Sequence, residues 1–227
     1  MSEARVVVRP VVQELAFDLI VVTDPSAPRG LAPYLEALAC EIAGWALIVR
    51  DHEADDASLA RSLERFQRAS RGTPILLACA TLARVELAAR LGAGVHLPER
   101  GPSVSEARSI TGTRVIGASV HDLEGARRRA EEGADLLVLA PFGAVAGKGA
   151  PLTDERVRDI VGALGSMPVF ALGGIRHARE VERALDLGCH GVAFRAPMAS
   201  ATDGARGLAE LRALIVRGER DHRAGFR

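Results

Sequence analysis

Met167–Ile175, MPVFALGGI, followed after a helical interval by Gly188–Arg195, GCHGVAFR, is the stretch whose reading decides the fold. Pro168–Leu172 is short, apolar and suited to a buried strand, and it runs straight into Gly173-Gly174. Val181–Leu185 then carries a helical stripe, and His190–Phe194 reads as a second buried strand. Paired glycines after a strand leave backbone N–H groups open beside a helix N-terminus. Donors and helix dipole there both favour negative charge, so the expected ligand is a phosphate. The competing reading is a glycine turn needed only for close packing. A strand–glycine–helix–strand unit that closes a long series of strand–helix repeats belongs in the last quarter of a (β/α)8 barrel.

The rest of the chain repeats in phase with that unit. Phe17–Thr23, Trp45–Val49, Pro74–Ala78, Gly94–Leu97, Arg114–Ala118 and Asp135–Ala140 read as six earlier strands. Continuous apolar runs of this kind are buried on both faces, as in a parallel sheet. Helical spacing separates them: Leu31, Leu35, Leu38 and Ile42, then Leu59, Leu63 and Phe66, then Leu82, Val85 and Ala89. Ser103 and Glu106 have capping-box spacing and open a fourth helix. Leu123, Ala126 and Ala130 line a fifth; Val157, Ile160, Val161 and Leu164 a sixth; Leu208–Ile215 an eighth. Eight such units in one chain of 227 residues predict a single α/β domain, a closed (β/α)8 TIM barrel. Residues 1–15 are expected to form an N-terminal arm and 218–227 a flexible tail.

Composition narrows the function classes. Lys+Arg and Asp+Glu are both 29, which gives no electrostatic argument for nucleic acid or an anionic membrane surface. The basic run Arg127-Arg128-Arg129 lies on a predicted helix and is expected to be solvated. Cys40, Cys79 and Cys189 are odd in number and lack metal-ligand spacing, as in a reducing compartment. No apolar run reaches membrane-spanning length, so the expectation is a soluble, cytoplasmic protein.

In such a barrel the chemistry sits at the C-terminal ends of the strands. Those ends supply Thr23-Asp24, Arg50-Asp51-His52, Cys79, His96, Ser119-Val120-His121, Lys148, Gly173-Gly174 and Phe194-Arg195-Ala196. His96, within a strand, is expected to be a hydrogen-bonded interior residue, and Cys79 a small core hydrophobe. Asp24 is either a helix cap or a ligand. Lys148, the sole lysine, sits in the glycine-flanked loop Pro141–Pro151 and has the character of a gating residue.

LIVVTD at Leu19–Asp24, IVRDH at Ile48–His52, LGAGVHLPE at Leu91–Glu99, IGASVHDLEGA at Ile116–Ala126 and GADLLVLAPF…KGAPL at Gly133–Leu152 precede PVFALGGI and GVAFRAPM in a fixed order. In order and spacing the chain resembles the thiamine phosphate synthase/TenI family, from Leu19 to about Met198. In the synthase branch the resemblance implies that strand two ends in a Gln-x-Arg-x-Lys pattern, and this chain has Ile48, Arg50 and His52 there. It also implies magnesium-binding carboxylates in an Asn-Asp after strand three and a few residues beyond the GVHL strand. Cys79-Ala80 and Gly101 stand in those places. Magnesium needs hard oxygen ligands, which makes the coupling of a pyrimidine pyrophosphate to a thiazole phosphate a poor match.

The TenI-like branch implies an aromatising tautomerisation of a thiazole carboxylate phosphate, a proton transfer that needs no metal. The resemblance places its catalytic histidine at His121 in S-V-H-x-L-E, with Ser119 as hydrogen-bonding neighbour. In that reading Gly173, Gly174, Arg195 and Ala196 hold the phosphate, with Lys148 available to neutralise a phosphate or carboxylate. Arg50 fixes the substrate carboxylate, and His52 can face the pocket. The expected partner is a small phosphorylated thiazole, without nucleic acid or membrane, and a homo-oligomer is left open. No cofactor is expected, Mg2+ entering only for a divergent thiamine phosphate synthase. A non-catalytic thiazole or thiamine phosphate-binding barrel is the third class.

Overall fold

The computed structural model describes residues 15–23, 31–38, 43–51, 54–70, 72–195, 209–210 and 212–216. The arm before Leu15 and the tail from residue 217 lie outside these, as do Asp24, His52 and Ala196. Eight strands alternate with helices: β1 Leu19–Val22, α1 Leu31–Leu38, β2 Trp45–Val49, α2 Asp56–Ala69, β3 Ile75–Ala78, α3 Leu82–Arg90, β4 Gly94–Leu97 and α4 Val104–Thr111. The second half continues with β5 Ile116–Val120, α5 Leu123–Glu131, β6 Leu136–Leu139, α6 Asp154–Leu164, β7 Val169–Leu172, α7 Ala178–Asp186 and β8 Gly191–Arg195. Residues 209–210 and 212–216 are helical, where the eighth helix is expected.

The strands pair in sequence order, all parallel, and β8 returns to β1 through Leu19↔Val192 and Val22↔Arg195. The chain is therefore the closed (β/α)8 barrel that its strand–helix alternation predicts. Strand residues alternate between two apolar layers, because successive side chains of a strand point to opposite faces. Outward-facing Leu19, Val21, Leu47, Val49, Leu77, Val95, Leu137 and Leu139 pack against the helices. Inward-facing Ile20, Val22, Ala46, Ile48, Leu76, Ala78, Leu136, Val138, Phe170 and Ala193 fill the barrel. Phe17 stacks on Phe170 at 5.7 Å, and the edge of His190 meets Phe170 at 5.2 Å; these three rings close the N-terminal foot.

Local chemistry explains where helices begin. Asp55 accepts from the Ser58 N–H at 2.9 Å to start α2, and Asp122 accepts from Gly125 N at 2.7 Å to start α5. Ser103 and Glu106 form the expected reciprocal capping box at α4. Helix α2 buries Leu59, Ser62, Leu63 and Phe66 as one stripe, and Phe66 meets Trp45 edge-on at 6.0 Å. Among the described residues, no helix is long and apolar enough to cross a membrane.

Two expectations need correction. The fifth strand runs to Val120 rather than ending at Ala118, so Ser119 is a strand residue facing the barrel interior. The basic run on α5 is not wholly solvated. Arg127 and Arg128 are exposed, but Arg129 is only 3% accessible. The phase of the helix accounts for this, since Arg129 shares a face with Gly125 and Ala126, four and three residues back, and all three are buried.

Candidate functional site at the barrel mouth

In a closed parallel barrel all strand C-termini share one mouth, so the residues at those ends converge whatever their separation in sequence. Four arcs of this mouth carry polar groups.

At β1–β2, Thr23 is buried and its hydroxyl serves Arg50 twice. It accepts from Arg50 N at 2.7 Å and donates to Arg50 O at 3.1 Å. This clamp fixes where the chain leaves β2. Arg50 continues the inward phase of Ala46 and Ile48 and is exposed at the mouth.

The β4–β5 arc holds the densest side-chain chemistry. His96 on β4 points into the barrel, 8% accessible, with its Nε2 2.8 Å from the Ser119 hydroxyl on β5. Burial, and secondarily the positive charge of Arg129, push the His96 imidazole down from 6.5 to about 4, so it is neutral at physiological pH. Its Nδ1 is buried and, among the described residues, has no hydrogen-bond partner. His96 is thus a hydrogen-bonded interior residue, as expected, and its partner is the predicted site residue Ser119. His121 follows β5 directly, with its side chain 45% exposed. Its Nδ1 lies 2.5 Å from the Ala140 carbonyl at the end of β6. A carbonyl only accepts, so Nδ1 carries the proton and Nε2 is left as the exchangeable nitrogen. The Glu99 carboxylate lies 3.8 Å from that Nε2.

Sequence reasoning passed over Glu99 and the group that holds it. Arg129 reaches from α5 to donate to the carbonyls of Pro98 at 2.9 Å, Glu99 at 3.1 Å and Pro102 at 2.8 Å, and to the Glu132 carboxylate at 3.1 Å. The β4–α4 loop is thereby tied to α5 by one buried guanidinium. An arginine in register with two small buried residues was the available signal.

In the β6–α6 loop, Phe142 is buried under the Arg183 guanidinium, 4.3 Å from the ring centroid, and Arg183 also meets Asp154 at 2.5 Å. Leu152 N donates to Pro141 O at 2.9 Å, closing the base of the loop. Lys148 lies on the exposed tip, where its N–H donates to Val145 O at 3.1 Å.

At β7–β8 the glycine pair has both features that only glycine supplies. Gly173 and Gly174 have φ of +107° and +69°. A Cβ on Gly174 would lie 2.6 Å from the Gly143 Cα and carbonyl carbon. Gly143 N donates to Gly173 O at 2.8 Å, so the pair and the β6–α6 loop are one packed unit. The expectation of an open helix N-terminus beside the pair needs revision. The Glu180 carboxylate accepts from His177 N at 2.6 Å and Arg176 N at 3.4 Å, placing a carboxylate of the chain itself at the start of α7. Arg195 stands on β8 in register with Val22 and in phase with inward-facing Ala193.

The positions where the synthase branch is expected to hold a divalent cation offer poor donors. Cys79 is buried, its thiol directed at Leu77 O at 3.1 Å, and burial pushes the thiol up to about 12, so it stays protonated. Ala80 offers no side-chain donor. A Cβ at Gly101 would lie 2.9 Å from Cδ and Cγ of Pro98, so an aspartate there would force the loop to shift. Among the described residues, no three His, Cys, Asp or Glu side chains are grouped to hold a metal. These positions do not fit hard-cation coordination.

The profile of the family described as thiamine monophosphate synthase (TMP-TENI) matches residues 19–198. The chain belongs to the thiamine monophosphate synthase/TenI family. It is 29% identical over 205 residues to a thiamine-phosphate synthase of Chloroflexus aurantiacus, covering 87% of this chain and 92% of that one. A putative thiamine-phosphate synthase of Geobacter sulfurreducens is 32% identical over 212 residues, covering 90% and 97%. Among solved structures, a thiamine phosphate pyrophosphorylase from Pyrococcus furiosus superposes with a TM-score of 0.72 at 25% identity, covering 89% and 96%.

Proposed function

We propose that this member of the family binds a phosphorylated thiazole at the barrel mouth and moves a proton on it, as a metal-independent thiazole phosphate tautomerase. The observation that carries the reading is the contrast between two sets of positions. His121 has a ring whose Nδ1 is committed to Ala140 O at 2.5 Å. The positions where the synthase branch is expected to hold magnesium are instead a protonated buried thiol, an alanine and a glycine folded under Pro98.

In this reading the substrate phosphate sits against the N–H groups of Gly173 and Gly174, with Arg195 and Lys148 supplying positive charge. Ala196 and His52 keep the binding roles expected of them from sequence; both lie outside the described residues. Arg50, held by Thr23, takes the substrate carboxylate in a bidentate pair. The His121 Nε2 accepts the proton of a substrate C–H bond as that electron pair enters the conjugated system. It then returns a proton to a second substrate carbon, so the histidine ends neutral and the product is an isomer. Ser119, with its hydroxyl 2.8 Å from His96, offers a hydrogen bond beside the reacting ring.

The names of the relatives favour a second reading, in which this chain is itself a thiamine-phosphate synthase and releases pyrophosphate. One pair of assays separates the two. Ultraviolet-monitored aromatisation in the presence of a chelator, reduced about 100-fold or more in His121→Ala, supports the tautomerase. Magnesium-dependent pyrophosphate release from mixed pyrimidine and thiazole substrates, with no aromatisation, replaces it with the synthase.

A further inference from the structure

We infer that Glu99 is the charge partner of His121, a positioning residue that holds the imidazolium formed during proton transfer. This inference rests on the proton-transfer reading above and extends it to a residue to which that reading gives no role. Three observations converge on Glu99. Its carboxylate lies 3.8 Å from the one ring nitrogen of His121 that Ala140 leaves unengaged. That separation is too long for a hydrogen bond, so the coupling acts through charge. The loop that carries Glu99 is fixed at its backbone, with Arg129 donating to the carbonyls of Pro98, Glu99 and Pro102 from a buried position. Finally, Glu99 Oε1 points toward the first turn of α5, where it would lie 3.8 Å from a Cβ on Gly125, and a helix N-terminus favours a carboxylate there.

The consequence for the reaction is specific. The substrate C–H proton passes to Nε2, its electron pair enters the conjugated ring, and the histidine gains one positive charge. Glu99 remains a carboxylate throughout and faces that charge. The imidazolium then gives its Nε2 proton to the second substrate carbon, and the original charge state returns. Glu99 neither exchanges a proton nor contacts the phosphate, so its contribution falls on the rate of the step. Both side chains are partly exposed, at 45% and 34%, which keeps the effect modest.

Steady-state kinetics of wild type, Glu99→Gln, His121→Ala and the double variant test this directly. Glu99→Gln is expected to lower kcat about 5-fold with KM within about twofold, and to cause no further loss in the His121→Ala background. Glu99→Asp, which keeps the charge on a shorter arm, should recover part of the loss. An unchanged kcat, a loss carried by KM, or an equal loss without His121 overturns the pairing. A substrate-free measurement separates this from the tautomerase reading. Diethyl pyrocarbonate attacks an available ring nitrogen, and peptide mass mapping reads His121 and His190 independently. Removing the carboxylate beside Nε2 is expected to speed modification of His121 about threefold or more, with His190 unchanged as control. Faster modification in a protein that fails to aromatise thiazole sinks the tautomerase and keeps the pair; an unchanged rate sinks the pair even if aromatisation is found.

Discussion

The two flanks of the barrel mouth are built by different means. Along β7–β8 the material is backbone: Gly173 and Gly174 pack on Gly143, and the charged side chain on the strand is Arg195. Along β4–β5 it is side chains: His96 bonded to Ser119, Glu99 on a loop that buried Arg129 ties to α5, and His121 bonded to the Ala140 carbonyl. The difference suits the two roles proposed for these flanks. An anion is gripped by N–H groups at fixed positions, and a Cβ there only obstructs. Proton transfer needs titratable rings whose tautomer a neighbour dictates. Damage to the backbone flank should therefore remove stability and binding together, whereas damage to the side-chain flank can separate chemistry from folding.

The sharpest break is Gly174→Ala. A Cβ at that position meets the Gly143 backbone at 2.6 Å and sits at a φ of +69°. Left-handed strain and overpacking together are expected to cost about 3–4 kcal/mol, read as a lower urea midpoint. Calorimetry should show inorganic phosphate affinity lost as well. A variant of wild-type stability would mean that the two loops can part, and the backbone flank would not be the rigid cradle described. On the other flank, Arg129→Met leaves the carbonyls of Pro98, Glu99 and Pro102 without their donor. About 3 kcal/mol of stability should go with it, while phosphate affinity of the folded protein stays within about twofold. Loss of phosphate binding in Arg129→Met would erase the division between flanks.

The barrel was legible because its evidence is repeated: eight apolar runs, each followed by a helical stripe, leave little room for another closed parallel arrangement. The positions of Ser119, His121 and the glycine pair followed from the same periodicity, since a strand end in such a barrel is a place at the mouth. What stayed hidden depends on contacts between distant segments. Glu180 fills the N-terminus of α7 through a local bond, but whether the glycine pair feeds that terminus is a matter of loop path. Arg129 looked like one member of a solvated basic run; the backbone carbonyls that its buried guanidinium bonds lie about 30 residues away in sequence. Glu99 gains meaning only once β4 and β5 are neighbours.

The protonation of His96 gives a finer cut through the side-chain flank. Burial and the charge on Arg129 hold the imidazole at about 4 against an ordinary 6.5. Above 6.5 both folded and unfolded chains carry a neutral ring, and the group contributes no pH dependence. As pH falls from 6.5 toward 4, the unfolded chain takes up a proton that the folded chain refuses, so stability declines. The decline is about 2 kcal/mol by the lower part of that window. Thermal melts of wild type and His96→Gln between neutral pH and that range isolate it: the variant should lose less stability on acidification. Parallel pH slopes would mean the ring is protonated inside the barrel, and its bond to Ser119 would then be a donated one.

The smallest effect should belong to Lys148, whose place at the exposed tip of the β6–α6 loop sets it apart from both flanks. The loop base is secured by Phe142 under Arg183 and by the Leu152–Pro141 hydrogen bond, so the tip can change without disturbing the glycine pair. Stability of Lys148→Ala is therefore expected within about 0.5 kcal/mol of wild type. A flexible ammonium that contributes charge to a bound phosphate acts on substrate and transition state alike, which raises KM about 3-fold and leaves kcat nearly unchanged. That increase should shrink as salt is added, because the charge is solvent-exposed. If instead kcat falls and KM does not, Lys148 reaches the reacting atoms, and the loop tip joins the side-chain flank as a third source of chemistry.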